Sequence, residues 1–269
     1  MSTAQMPAIF FGHGSPMIAL ENNATTKTWA ALGLAVGTPK AILCVSAHWL
    51  TRGTAVTAMP NPKTIHDFGA FPRALFEVQY PAPGSPQLAR RVQEVLAPLP
   101  VHLDEEAWGL DHGTWSVLGK AFPSANIPVV QLSMDATRDA AWHYALGRRL
   151  RVLRDEGVLI VGSGNIVHNL PRMDFAARQR QPYDWAERFN NYIRNAIAED
   201  APLRAVNYES LGSDAALAVP TPDHYWPLLY VLGARGDGET ARFLPDHIEH
   251  GSLSMTSVLF GETPLPLVA

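Results

Sequence analysis

Ala41-Ile42-Leu43-Cys44-Val45-Ser46-Ala47-His48-Trp49 is the stretch that decides the fold. Small and apolar residues run without a charge and stop at a histidine, which reads as a strand buried on both faces that delivers an imidazole at its C-terminal end. The same grammar occurs twice more. Pro7-Ala8-Ile9-Phe10-Phe11 runs into Gly12-His13-Gly14-Ser15-Pro16, and Val158-Leu159-Ile160-Val161 runs into Gly162-Ser163-Gly164-Asn165, with His168 shortly beyond. In open α/β sheets ligands bind outside the carboxyl ends of the strands, so apolar strands ending near histidines point to one shared pocket.

Around these strands the chain reads as an α/β protein. Residues 25–34 look helical. Residues 86–97 form the clearest helix, opening on Pro86 and placing Leu88, Val92, Val95 and Leu96 on one face. A buried strand over 127–133, an amphipathic helix over 139–156 and the strand at 158–161 make a crossover unit, the building block of a parallel sheet. Residues 54–59 and 101–103 are further strands, 183–198 a polar helix, and 252–260 a closing strand. The stretch from Pro60 to Gly84 is rich in proline and glycine, and a segment of that length without regular structure is expected to wall a site. No repeat, low-complexity tract or linker divides residues 1–269, so one domain is expected.

Composition narrows the function. Of 269 residues, 47% are hydrophobic, which is enough for a full core, and the net charge of −4 has no basic stripe for nucleic acid. No window approaches the roughly eighteen apolar residues of a membrane span, and the N-terminus lacks a secretory pattern. The single cysteine, Cys44, lies in the buried strand and reads as a small core hydrophobe, which suits a reducing cytoplasm. Small molecules, or copies of the chain itself in a homo-oligomer, are the expected partners.

Ten histidines are the informative excess. His13, His48, His168 and His224 each follow an apolar run or lie in a Pro/Gly loop, where a rigid scaffold can aim the ring at a cavity. His112, in Asp111-His112-Gly113, is a further candidate. Neutral imidazoles suit Fe(II), Zn(II) or Cu(II), whereas Ca and Mg take oxygen, so a joint site would hold a transition metal. Taken singly, each of these is as well explained by a histidine satisfied by a backbone carbonyl. His102, His143, His247 and His250 read as surface or packing positions, and His66 lies in the expected pocket wall. Other motifs fail: Val167 stands where a dinucleotide loop needs its third glycine, and neither Ser15 nor Ser163 has the glycine pattern of a nucleophile elbow.

Gly12-His13-Gly14-Ser15-Pro16, Ser46-Ala47-His48-Trp49, Thr64-Ile65-His66-Asp67-Phe68-Gly69, Trp108-Gly109-Leu110-Asp111-His112-Gly113, Gly164-Asn165-Ile166-Val167-His168-Asn169 and Thr221-Pro222-Asp223-His224-Tyr225 together resemble the class III extradiol ring-cleavage dioxygenases, in their DOPA 4,5-dioxygenase branch. The resemblance spans nearly the whole chain. It implies a mostly parallel sheet flanked by helices, with a mononuclear non-haem metal at the strand C-terminal ends and a catechol and dioxygen as substrates. It implies His13, His48 and His224 as metal-site residues, His168 as acid/base catalyst counted with the metal site, and His112 as a catalytic residue positioning substrate or oxygen. Wider relatives complete the metal triad with glutamate, and His224 stands in that role here. Fe(II) is expected for oxygenase activity, and the all-nitrogen donor set also suits Zn(II). A zinc hydrolase and a non-catalytic metal-binding protein are the rival readings.

Overall fold

The structure is a computed structural model and describes residues 5–179 and 181–263. In chain order the elements are β1 (Ala8–Gly12), α1 (Ala24–Val36), β2 (Ala41–Thr51), β3 (Thr54–Thr57), α2 (Arg73–Phe76), α3 (Pro86–Val95), β4 (Val101–Asp104), α4 (His112–Ala121), β5 (Val129–Asp135), α5 (Ala140–Leu150), α6 (Val152–Asp155) and β6 (Val158–Gly164). Then follow α7 (Asp184–Ala198), α8 (Pro202–Val206), α9 (Ser213–Ala218), α10 (Trp226–Ala234), β7 (Arg242–Phe243), β8 (Ile248–Glu249), β9 (Leu253–Ser254) and β10 (Val258–Phe260).

Eight strands form one sheet in the order β4-β3-β5-β2-β6-β1-β10-β7. The central run β5-β2-β6-β1 is parallel throughout, as the crossover reading requires. The margins turn antiparallel: β3 against β5, β10 against β1 and β7 against β10. The mostly parallel sheet expected from the sequence is therefore present, with β2 lodged between the two strands of the expected crossover unit.

Alternation along the central strands explains why they read as unbroken apolar runs. Ala8, Phe10, Leu43, Val45 and Ile160 pack on one face with α3, α5, α7 and α10. Ile9, Phe11, Ile42, Cys44, Leu159 and Val161 pack on the other with α1 and α4, around Trp29, Leu32, Trp115 and Leu118. Side chains alternate across a strand, so a sheet covered on both faces needs apolar residues at every position.

Three elements depart from the sequence reading. The strand expected to stop at His48 continues to Thr51. The helix expected over 139–156 is divided into α5 and α6, with Arg151 between them still in helical dihedrals. The closing strand expected over 252–260 is two short strands, β9 paired with β8 outside the main sheet and β10 paired with β1. Sequence periodicity could not separate these, because the intervening Met255, Thr256 and Ser257 are as buried as their neighbours.

Candidate active site

The C-terminal ends of β1, β2 and β6 lie side by side, with Gly12 opposite Gly164 and Ser46 opposite Ser163. His13 follows β1 directly and is pinned there by its backbone N–H, which donates to Gly164 O at 2.9 Å. In β2 the register against β5 slips between Val45 and Leu50, so Ser46 to Trp49 bulge out of the ladder. Bulges re-aim side chains next to functional sites, and this one carries His48. Beyond β6, Asn165 N–H donates to His224 O at 2.8 Å. A Cβ on Gly164 would stand 2.1 Å from that same oxygen, so the approach requires glycine. His224 ends a short 3-10 turn, and His112 is the first residue of α4, whose N-cap is Asp111.

These elements bring five imidazoles together: His13, His48, His112, His168 and His224. The His13 ring centroid lies 5.2 Å from His48, 5.9 Å from His112 and 5.3 Å from His224. His48 lies 3.8 Å from His112 and 5.0 Å from His224. His168 stacks flat on His224 at 3.5 Å and 5°. The most compact set is His13, His48 and His112, whose ligand nitrogens all lie within 4.8 Å of one another and could hold a metal ion. That set contains His112, for which the sequence suggested a catalytic rather than a ligating role.

Hydrogen bonds on the far side of the rings determine which nitrogen faces inward. Ser163 Oγ donates to Gly113 O at 2.6 Å, so its contact of 3.0 Å with His13 Nδ1 is one in which it accepts. The Nδ1 of His13 therefore carries the proton and Nε2 keeps its lone pair. His112 Nδ1 meets Asp67 Oδ2 at 2.9 Å, and His224 Nδ1 meets Asp223 Oδ2 at 2.5 Å. Carboxylates accept, so these rings also turn Nε2 inward. An outer acceptor of this kind is what orients a metal-bound histidine.

The rings of His13, His224, His48 and His168 are held neutral. Burial pushes His13 well below the ordinary imidazole range, followed by the neighbouring His48, His224, His112 and His168. Burial does the same for His224, reinforced by His168, His48 and His112. His48 is driven down to about 3 by burial and by His112, against the pull of Asp67. His168 falls to about 4, through burial first, with Asp223 opposing and His112 adding to the fall. Buried neutral nitrogens with inward lone pairs fit a divalent transition cation and disfavour Ca or Mg.

Sequence reasoning located the five histidines but assigned no role to their partners. Asp67 was visible only inside a motif, and Ser163 only in a failed dinucleotide loop and a failed nucleophile elbow. The expected pocket wall contributes Phe68, whose ring lies 5.4 Å from His112, 5.2 Å from Phe71 and 5.1 Å from Phe76. His66, from the same wall, contacts Trp115 at 5.6 Å and is hydrogen-bonded to Val78 O. His143 is fully buried between α5 and α10, where its Nδ1 meets Tyr230 Oη, a packing position as expected.

Comparison with known proteins agrees with this geometry. Residues 7–261 match the family of the catalytic LigB subunit of aromatic ring-opening dioxygenase. The chain is 54% identical over 265 residues to a 4,5-DOPA dioxygenase extradiol of Escherichia coli K12, covering 97% of each protein. It is 37% identical to a 4,5-DOPA dioxygenase extradiol of Beta vulgaris, over 94% of this chain and 96% of that one. A crystal structure of an uncharacterized Escherichia coli K12 protein superposes with a TM-score of 0.83 at 48% identity, covering 96% of this chain and 100% of the other. The chain belongs to the class III extradiol dioxygenases, the family of the catalytic LigB subunit of aromatic ring-opening dioxygenase.

Proposed function

We propose that the protein opens the ring of a catechol of the DOPA type with dioxygen, using one divalent metal per chain, with Fe(II) as the working ion and Zn(II) as an alternative occupant. The observation that carries this is the convergence of imidazoles whose outer nitrogens are already engaged by Ser163, Asp67 and Asp223. The extradiol relatives of Escherichia coli and Beta vulgaris support the substrate class.

His13 and His48 hold the cation in this reading, because both belong to the compact nitrogen set and to the set that the sequence suggested. His224 completes the grip, its ring being near both and its tautomer set by Asp223. His168 is counted with the metal site but acts as acid and base. Its ring lies parallel to that of His224, and in-plane lone pairs of parallel rings do not converge on one point. His112 faces substrate and oxygen beside Phe68, whose ring offers an edge or face to a planar substrate.

When bound, a divalent metal stabilises a phenolate and gathers catechol and oxygen at one place. The residues manage protons and access. A catechol hydroxyl, like that of tyrosine, ionises near pH ~10, so it must be acidified by a bound cation before the neutral ring of His168 takes its proton at pH 7. The proton returns during ring opening, from His168 or through His112, and a muconic semialdehyde is released carrying both oxygen atoms. A zinc hydrolase would need a free carboxylate base, whereas Asp67 and Asp223 are tied to ring nitrogens. The single, buried Cys44 suits a reducing cytoplasm. Anaerobic loading with Fe(II), followed by catechols and air, tests the proposal: oxygen uptake with a yellow ring-fission product is expected, and metal binding without oxygen uptake contradicts it.

A further inference from the structure

Asp67 reaches two rings of the histidine cluster with one carboxylate. Its Oδ1 accepts the backbone N–H of His112 at 2.9 Å, and its Oδ2 lies 2.9 Å from His112 Nδ1 and 3.6 Å from His48 Nδ1. It sits in the long segment between β3 and α3, but its root is fixed to the segment that leads into α4. Ile65 N–H donates to Leu110 O at 2.7 Å, Leu110 N–H to Lys63 O at 2.8 Å, and Trp115 Nε1–H to Ile65 O at 2.8 Å. Burial opposes its charge, yet the hydrogen bonds from the ring and backbone of His112 hold it below the usual carboxylate range.

We infer that Asp67 is the positioning residue that locks His112 as its Nδ1–H tautomer, so that its Nε2 lone pair turns toward the cation and substrate. The inference rests on the reading of the cluster as a metal-dependent active site. Its physical core is that one carboxylate oxygen accepts the His112 Nδ1–H, while the other is held by a backbone donor that cannot reverse. Asp67 therefore ties the pocket wall, the β2 bulge and the start of α4 to one arrangement of the site.

The substitution Asp67→Asn turns this into a test. The amide oxygen must still face the backbone N–H of His112, which leaves the NH2 group facing Nδ1. Two donors cannot share that contact, so the His112 proton moves to Nε2 and the inward lone pair is lost. Asp67→Ala removes the lock without imposing the wrong tautomer. The His112 ring should then sample both tautomers, a difference between the two variants that simple loss of packing would not produce.

Nitrogen-15 NMR of metal-free wild-type protein should show His112 as the Nδ1–H tautomer. Asp67→Asn should convert His112 to Nε2–H, and Asp67→Ala should leave a mixture of the two tautomers. An Nε2–H His112 in the wild type overturns the inference, even if neither variant folds. So does an Nδ1–H His112 that persists in Asp67→Asn. The tautomer reading does not involve catechol, so failure to open catechols would sink the functional proposal and leave this role standing.

Discussion

Buried His143 and half-buried His168 are histidines of similarly low basicity, each pushed down to about 4 mainly by desolvation, and they sit in different company. His143 lies between helices, with its ring 4.2 Å from Trp226 and its Nδ1 on Tyr230. His168 lies at the C-terminal edge of the sheet, stacked on a histidine that neighbours two more. Burial alone makes an imidazole neutral. A site arises where several such rings are turned the same way by acceptors behind them, as His13, His112 and His224 are and His143 is not.

The sharpest break between the two regions should come from removing a ligand. His13→Ala or His48→Ala is expected to abolish stoichiometric metal and all oxygen uptake, whereas His143→Leu should keep both, as measured by elemental analysis of purified protein. Next, His168→Ala should retain metal while turnover falls about 10²–10⁴-fold, the usual worth of an acid/base group. Equal loss of metal in His168→Ala and His13→Ala would remove the division of roles.

Acid stability offers a third contrast. His143 is neutral in both states above pH 6.5. As the pH falls below that value the unfolded chain takes the proton first, so stability is lost until the folded ring protonates near 4. The loss attributable to His143 is about 3 kcal/mol at most. Urea unfolding at pH 7 and pH 4.5 should therefore show a smaller difference in His143→Leu than in the wild type. The smallest effect is expected for Ser163→Ala, which removes the acceptor behind His13 and should weaken metal binding by about tenfold, toward the low end for such partners, with the fold intact.

Much of the fold is legible in the amino-acid sequence. Ala41 to Val45 and Val158 to Val161 announce themselves as central strands, because a sheet covered on both faces leaves no polar positions. The histidines stand out because each interrupts an apolar run or occupies a loop. Their mutual placement is not legible: His13 and His48 meet through strands that are not consecutive in the sheet, and His48 is aimed by a bulge that leaves no local mark. The same holds for Asp67 and Ser163, whose importance lies in hydrogen bonds to residues 45 and 150 positions away. The nearness of His112 to His13 and His48 depends on where the sheet edge meets the start of α4, which Gly113 permits, since a Cβ there would stand 2.4 Å from Ser46 Oγ.

The central claim is that distant imidazoles grip one cation at the sheet's edge. X-ray absorption at the iron edge of protein loaded anaerobically with Fe(II) tests it most directly. Nitrogen and oxygen ligands near ~2.1 Å, with the outer-shell scattering of at least three imidazoles, are expected. A shell of oxygen alone, or of a single imidazole, would contradict the account.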